Sequence, residues 1–88
     1  MSEEFLFNSI EPFFSKEKQG LKNNTIRKID LNDSRFQRLI HYNWIGYNQG
    51  ELKIRIGNKE TYEYFIRDIQ DISYFEDWII ITWNHEKQ

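Results

Sequence analysis

The sequence contains no cysteine, no alanine and no valine, and its single proline and four glycines are scattered. Without cysteine the fold has neither a disulfide nor a thiolate-based metal staple, which fits a reducing compartment. Glycines placed singly exclude a glycine-rich phosphate loop. The longest apolar run, Trp78-Ile79-Ile80-Ile81, is far short of the roughly 20 residues that a membrane span needs. The opening Met1-Ser2-Glu3-Glu4 is acidic, unlike the basic and then apolar start of a secretory signal. A cytoplasmic protein without membrane association is therefore expected. Histidine is also scarce: His41 falls at a helix end and His85 in a tail expected to fray. No His-x-x-x-His pair and no Ser-His-Asp order is present, so no metal site, catalytic triad or cofactor is expected. The missing Ala and Val, set against thirteen Ile, eight Asn and seven Lys, point to an AT-rich gene such as that of a low-GC bacterium or its phage.

What the chain does have is aromatic bulk: seven Phe, five Tyr and three Trp in 88 residues. Each such ring buries roughly 150–250 Å², so a few suffice for the core of a single domain spanning residues 1–88. Glu4–Ser9, short and aromatic-rich, reads as a first strand. Pro12 suits the first turn of a helix at about 11–19, with Ile10, Phe13, Phe14 and Leu21 inward and Lys16 to Gln19 facing water. Gly20 is placed to end that helix in the left-handed conformation. A second strand is expected over Asn24–Asp30, with Thr25 and Arg27 outward and Ile26 and Lys28 on the other face. Asn32-Asp33-Ser34 then caps a short helix at about 34–41, spaced by Phe36, Leu39 and Ile40.

The second half is β-rich. Leu52, Ile54 and Ile56 alternate with Glu51, Lys53 and Arg55 as in a half-buried strand. Gly57-Asn58-Lys59 predicts a hairpin into Thr61–Ile69. Asp77–Trp83, apolar on both faces, predicts a central or barrel-closing strand. This order of elements suits an α+β fold, a small partly open barrel whose ends are plugged by helices.

Net charge is −2, but residues 16–38 hold seven basic side chains against three acidic ones, a net +4, and the remainder carries −6. Such a cluster can attract phosphates whatever the global sign, or can simply keep the chain soluble. Within it stands Gly20-Leu21-Lys22-Asn23-Asn24-Thr25-Ile26-Arg27. Lys22, Arg27 and Lys28 crowd together where a helix meets a strand, with a hydroxyl at Thr25. Arginine offers a planar fork, lysine a point charge. Arg35 and Arg38 fall on the outer side of the second helix. Tyr42, Trp44 and Tyr47, read as loop residues, either supply a stacking platform for unpaired bases or cover the core. Arg27 alternatively pairs with Asp30 or Asp68.

The segment resembles the signature of ASCH domains, in which a helix ends at Gly, Lys follows two residues on, Thr or Glu five on and Arg seven on. Gly20, Lys22, Thr25 and Arg27 stand at those four offsets. The resemblance covers residues 5–30, and Phe65–Ile72 and Trp78–Trp83 look like the family's closing strands. The family's Gly-Asp turn after the Arg is missing, and the Ser34–His41 helix stands in its place. The resemblance implies a small PUA-like partly open β-barrel of about five strands with two short helices. It also implies a binding module for RNA or a nucleotide, RNA the favoured ligand, with Lys22, Thr25 and Arg27 at the matched positions; the basic cluster, apart from the resemblance, adds Lys28 and Arg35 as expected contacts. Some ASCH-like proteins are amidohydrolases on acylated cytidine. By that likeness Lys22 would deprotonate the Thr25 nucleophile, with Glu76, or Glu63, protonating the leaving amine. From another class comes a phage accessory protein that grips a host protein through its acidic second half, where Asp68, Asp71, Glu76 and Asp77 cluster.

Overall fold

A computed structural model describes residues 3–85. Along the chain run β1 (Glu3–Asn8), α1 (Phe13–Gln19), β2 (Asn24–Lys28), α2 (Ser34–Ile45), β3 (Leu52–Gly57), β4 (Tyr64–Phe75) and β5 (Trp78–Trp83). The order is the one expected. The strands form a mixed sheet in the order β1-β3-β4-β5-β2. β1 lies parallel to β3, while the β3–β4, β4–β5 and β5–β2 pairs are antiparallel.

β4 holds the sheet together and bends it. Tyr64–Asp68 pairs with β3, Ile69–Phe75 pairs with β5, and the register shifts between Ile69 and Asp71. A bulge of this kind bends its strand and strengthens the local twist. The sheet accordingly curls into a half-barrel, and the fold is a small α+β partly open barrel. Its two edge strands, β1 and β2, come within reach of each other's side chains. Arg27 on β2 donates from Nη2 to the Asn8 carbonyl of β1 at 2.8 Å.

Alternation fills the trough. Leu52, Ile54 and Ile56 on β3 are wholly buried, as expected, alongside Phe5 and Phe7 of β1 and Ile79, Ile81 and Trp83 of β5. Phe14 and the α2 pair Phe36 and Leu39 close the core from the helices. The rings meet edge-on or tilted, Phe7 with Phe36 at 5.8 Å and Phe14 with Phe65 at 5.6 Å, the geometry aromatic quadrupoles favour. Burying each such side chain contributes about 1.5–3 kcal/mol. That is how a chain without disulfides assembles one core.

Several expectations are corrected. The faces of β2 are reversed: Thr25 is buried and Arg27 half-buried, whereas Ile26 and Lys28 face out. The pairing Thr25↔Ile81 sets this, because it puts Thr25 on the core face of the sheet, and a one-residue change of register inverts every side chain. In α1 the inward pair is Phe14 and Glu17. Ile10 and Leu21 lie outside the helix and are more than 70% exposed. Two helical turns present one i, i+3 pair to the core, and here a carboxylate is in it.

α2 continues to Ile45, past the expected end at 41, because no breaker intervenes before Gly46 and Tyr42 packs edge-on against Phe5. β4 begins at Tyr64 rather than Thr61. Asn58, whose side chain accepts from the Glu60 N–H at 2.9 Å, and Tyr62 at φ +62° build a wider turn than a tight hairpin. His85, expected to fray, holds its ring beside Gly20.

Candidate functional site

Where the barrel fails to close, a cleft of about 480 Å³ opens between β1, the start of α1 and β2. Asn8, Ser9, Ile10, Phe13, Glu17, Lys22, Thr25, Ile26 and Arg27 line it. That size lies at the small end of the range for small-molecule sites. Three of the residues singled out by sequence, Lys22, Thr25 and Arg27, therefore meet in one concavity.

The chain delivers them there for local reasons. Gly20, at φ +85°, terminates α1 in the left-handed region and swings the chain back, so that Lys22 points under the helix it has just left. Its ammonium donates to Glu17 Oε2 at 2.9 Å and to the Asn24 carbonyl at 2.5 Å. Thr25 and Arg27, two apart on β2, share the inner face. Arg27 donates from Nε to Thr25 Oγ1 at 2.9 Å and from Nη2 to the Asn8 carbonyl and to Ser9 Oγ at 3.3 Å. It pairs with neither Asp30 nor Asp68; Asp68 is the partner of Lys53. Its guanidinium also lies 5.2 Å from the centre of the Phe7 ring. Burial pushes the Arg27 guanidinium down from its ordinary value. Glu17 works against that shift, and the charge of Arg35 adds to it.

Other predicted residues lie elsewhere. Lys28 points to the opposite face of β2 and is exposed. Arg35 sits at the start of α2, clasps Asp33 at 2.6 Å and donates to the Leu6 carbonyl on the free edge of β1. Glu76 occupies the β4–β5 turn at φ +53°, and Glu63 pairs with Lys18 at 2.8 Å; neither lines the cleft. Tyr42 and Tyr47 pack against the core, and Trp44, although 87% exposed, stands on α2. None of the three lines the cleft. A second depression of about 530 Å³ runs beside Arg55, Lys59, Tyr62 and Tyr64. Its one half-buried cation, Arg55, is spent on Glu4 and on the Tyr64 ring 3.9 Å away.

Sequence reasoning missed Glu17. Helical periodicity placed it in water, yet it is 1% exposed and lines the cleft. The available signal was the spacing of Glu17 and Lys22 on either side of a helix-ending glycine, which lets the lysine fold back on the acid. Chemically, the cleft combines two hydroxyls (Ser9 and Thr25), two cations and one carboxylate with apolar walls from Ile10, Phe13 and Ile26. The Lys22 ammonium is committed to Glu17 and Asn24 rather than to the Thr25 hydroxyl, so the pair the amidohydrolase reading needs is not hydrogen-bonded. Among the described residues no group of three potential ligands is placed to hold a metal ion, and no helix is long and apolar enough to cross a membrane. No family model matches the chain, and no curated protein matches it.

Proposed function

We propose that the chain is a small ASCH/PUA-like module that binds a nucleotide or single-stranded nucleic acid, RNA above all, by taking one unstacked base into the cleft between β1 and β2. The observation that carries this reading is the convergence of Lys22, Thr25 and Arg27 on one concavity with apolar walls. Unpaired bases are recognised by such combinations, a π-face against apolar side chains and an edge against fixed donors. Thr25 Oγ1 already accepts from Arg27 Nε. Its own proton is therefore free to point at a ligand acceptor.

The charges also set what kind of binding to expect. Lys22 and Arg27 are partly neutralised by Glu17, leaving about one net positive charge. A phosphate clamp of many cations loses affinity steeply with salt; this cleft depends on salt weakly, because it grips a base more than a backbone.

The test is a titration of a fluorescent single-stranded RNA against the protein and against Thr25→Val, which keeps the side-chain shape and removes the hydroxyl. Binding that weakens about tenfold in the variant, with a shallow salt slope in both, is the expected result. A wild-type chain that binds neither RNA nor a nucleotide, or a variant that binds identically, refutes the reading.

A further inference from the structure

We infer that Glu17 decides which base the cleft accepts, admitting those that carry an exocyclic amino group and rejecting uracil; this rests on the nucleotide-binding reading above. The Glu17 side chain is 1% exposed, its Oε2 accepts from Lys22 at 2.9 Å, and its Oε1 is shielded from solvent without a hydrogen-bond partner among the described residues. A buried acceptor left without a donor is costly and uncommon in folded proteins, and Glu17 lines the cleft, so a ligand N–H that reaches this oxygen would satisfy it.

The rest of the cleft sharpens the selection. Arg27, Lys22 and Thr25 present donors, and two of the Arg27 nitrogens are already spent on Thr25, Asn8 and Ser9. A ligand must therefore offer acceptors toward β2 and at least one N–H toward α1. A carboxylate accepts and does not donate.

Cytosine, adenine and guanine each pair an exocyclic amino group with a neighbouring ring nitrogen or carbonyl. Uracil carries a carbonyl in place of that amino group, and its single ring N–H is flanked by two carbonyls, which a carboxylate oxygen would repel. A site built around one polar contact rejects the ligand lacking the complementary group far more strongly than an apolar wall rejects a missing methyl. Glu17 is thus a specificity residue, and its ion pair with Lys22 fixes which of its oxygens remains to be satisfied.

The experiment compares the 5′-monophosphates of cytidine, adenosine and uridine by tryptophan fluorescence titration, in the wild type and in Glu17→Gln. Cytidine and adenosine monophosphates should bind the wild type at least about tenfold more tightly than the uridine nucleotide. In Glu17→Gln, whose amide both donates and accepts, the ratio should fall to about twofold with uridine gaining. Equal affinities in the wild type, or a preference unchanged by the substitution, overturn the role of Glu17 while the nucleotide-binding reading survives. Absence of binding by all three nucleotides and by the RNA overturns both. The preference is read as a ratio within each protein, so a general loss of stability in the variant does not mimic it.

Discussion

At the scale of single residues, the basic segment is mostly occupied with building the barrel. Outward carbonyls on the free edge of β1 at Leu6 and Asn8 are covered by Arg35 from α2 and Arg27 from β2. Guanidinium forks thus stand where a sixth strand would bond, which blunts an edge open to unwanted pairing. Arg35 in turn is steadied by Asp33, whose side chain also accepts from the Arg35 N–H at 2.9 Å and caps α2.

The Arg35 guanidinium beside Asp33 holds its carboxyl below the ordinary value of 3.8. A depressed folded-state pKa contributes stability that is present above the unfolded value and lost as pH falls through the folded one. Asp33→Asn should therefore be less stable than the wild type at neutral pH, and the gap should close as pH falls below 3.8 and through the lowered folded-state value. Urea midpoints at pH 7 and pH 2 check this. The wild type keeping its full advantage at pH 2 would rule the linkage out. Glu63, lowered by its bond to Lys18, leaves both proteins some acid sensitivity.

At the scale of elements, the hinge between α1 and β2 places the cleft. Gly20 caps α1 at φ +85°, its N–H bonding to the Glu17 carbonyl at 3.3 Å, and Leu21 N–H reaches back to Lys16 at 2.9 Å. A Cβ at Gly20 would sit 2.7 Å from the His85 ring, whereas one at Gly50, also left-handed at φ +83°, would meet open space. Gly20→Ala should cost about 1–2 kcal/mol from the backbone alone, and more from the collision. Gly50→Ala should show only the backbone part. In a His85→Ala background the excess at Gly20 should vanish, and a double-mutant cycle of urea midpoints measures it. An unchanged cost would mean that the ring yields freely.

At the scale of the whole molecule, β5 is paired on both sides, with β4 and with β2, while β1 and β2 are the edges. Protection from hydrogen exchange should follow that order. Amides of Ile79–Thr82 should be among the slowest in the chain, with those of the other doubly paired strands, and those of β2 facing the seam among the fastest strand amides. Exchange measured by NMR residue by residue tests this, and β5 amides exchanging as rapidly as those of β2 would contradict the topology. The same gradient puts the cleft at the loosest part of the barrel, where a ligand bridging β1 and β2 would raise protection on both edges.

Much of this was legible beforehand. The alternation of Leu52, Ile54 and Ile56, the glycine stop at Gly20, the Asp33 cap and the doubly apolar β5 are local signals. Each depends on residues within a few positions of one another, so each is written in the chain. The convergence of Lys22, Thr25 and Arg27 was expected from their crowding at a helix-to-strand junction. Which way they point was not, because the face of a short strand is fixed by its partner: only pairing with Ile81 turned Thr25 inward.

By itself, the sequence determined the order of the elements, the α+β class and the address of the cleft, since periodicity, caps and turn residues act over short range. The tertiary structure alone decided the facing of β2, the burial of Glu17 beneath Lys22 and the use of arginines to seal β1. Those outcomes depend on register and on contacts between distant segments, which no local pattern encodes.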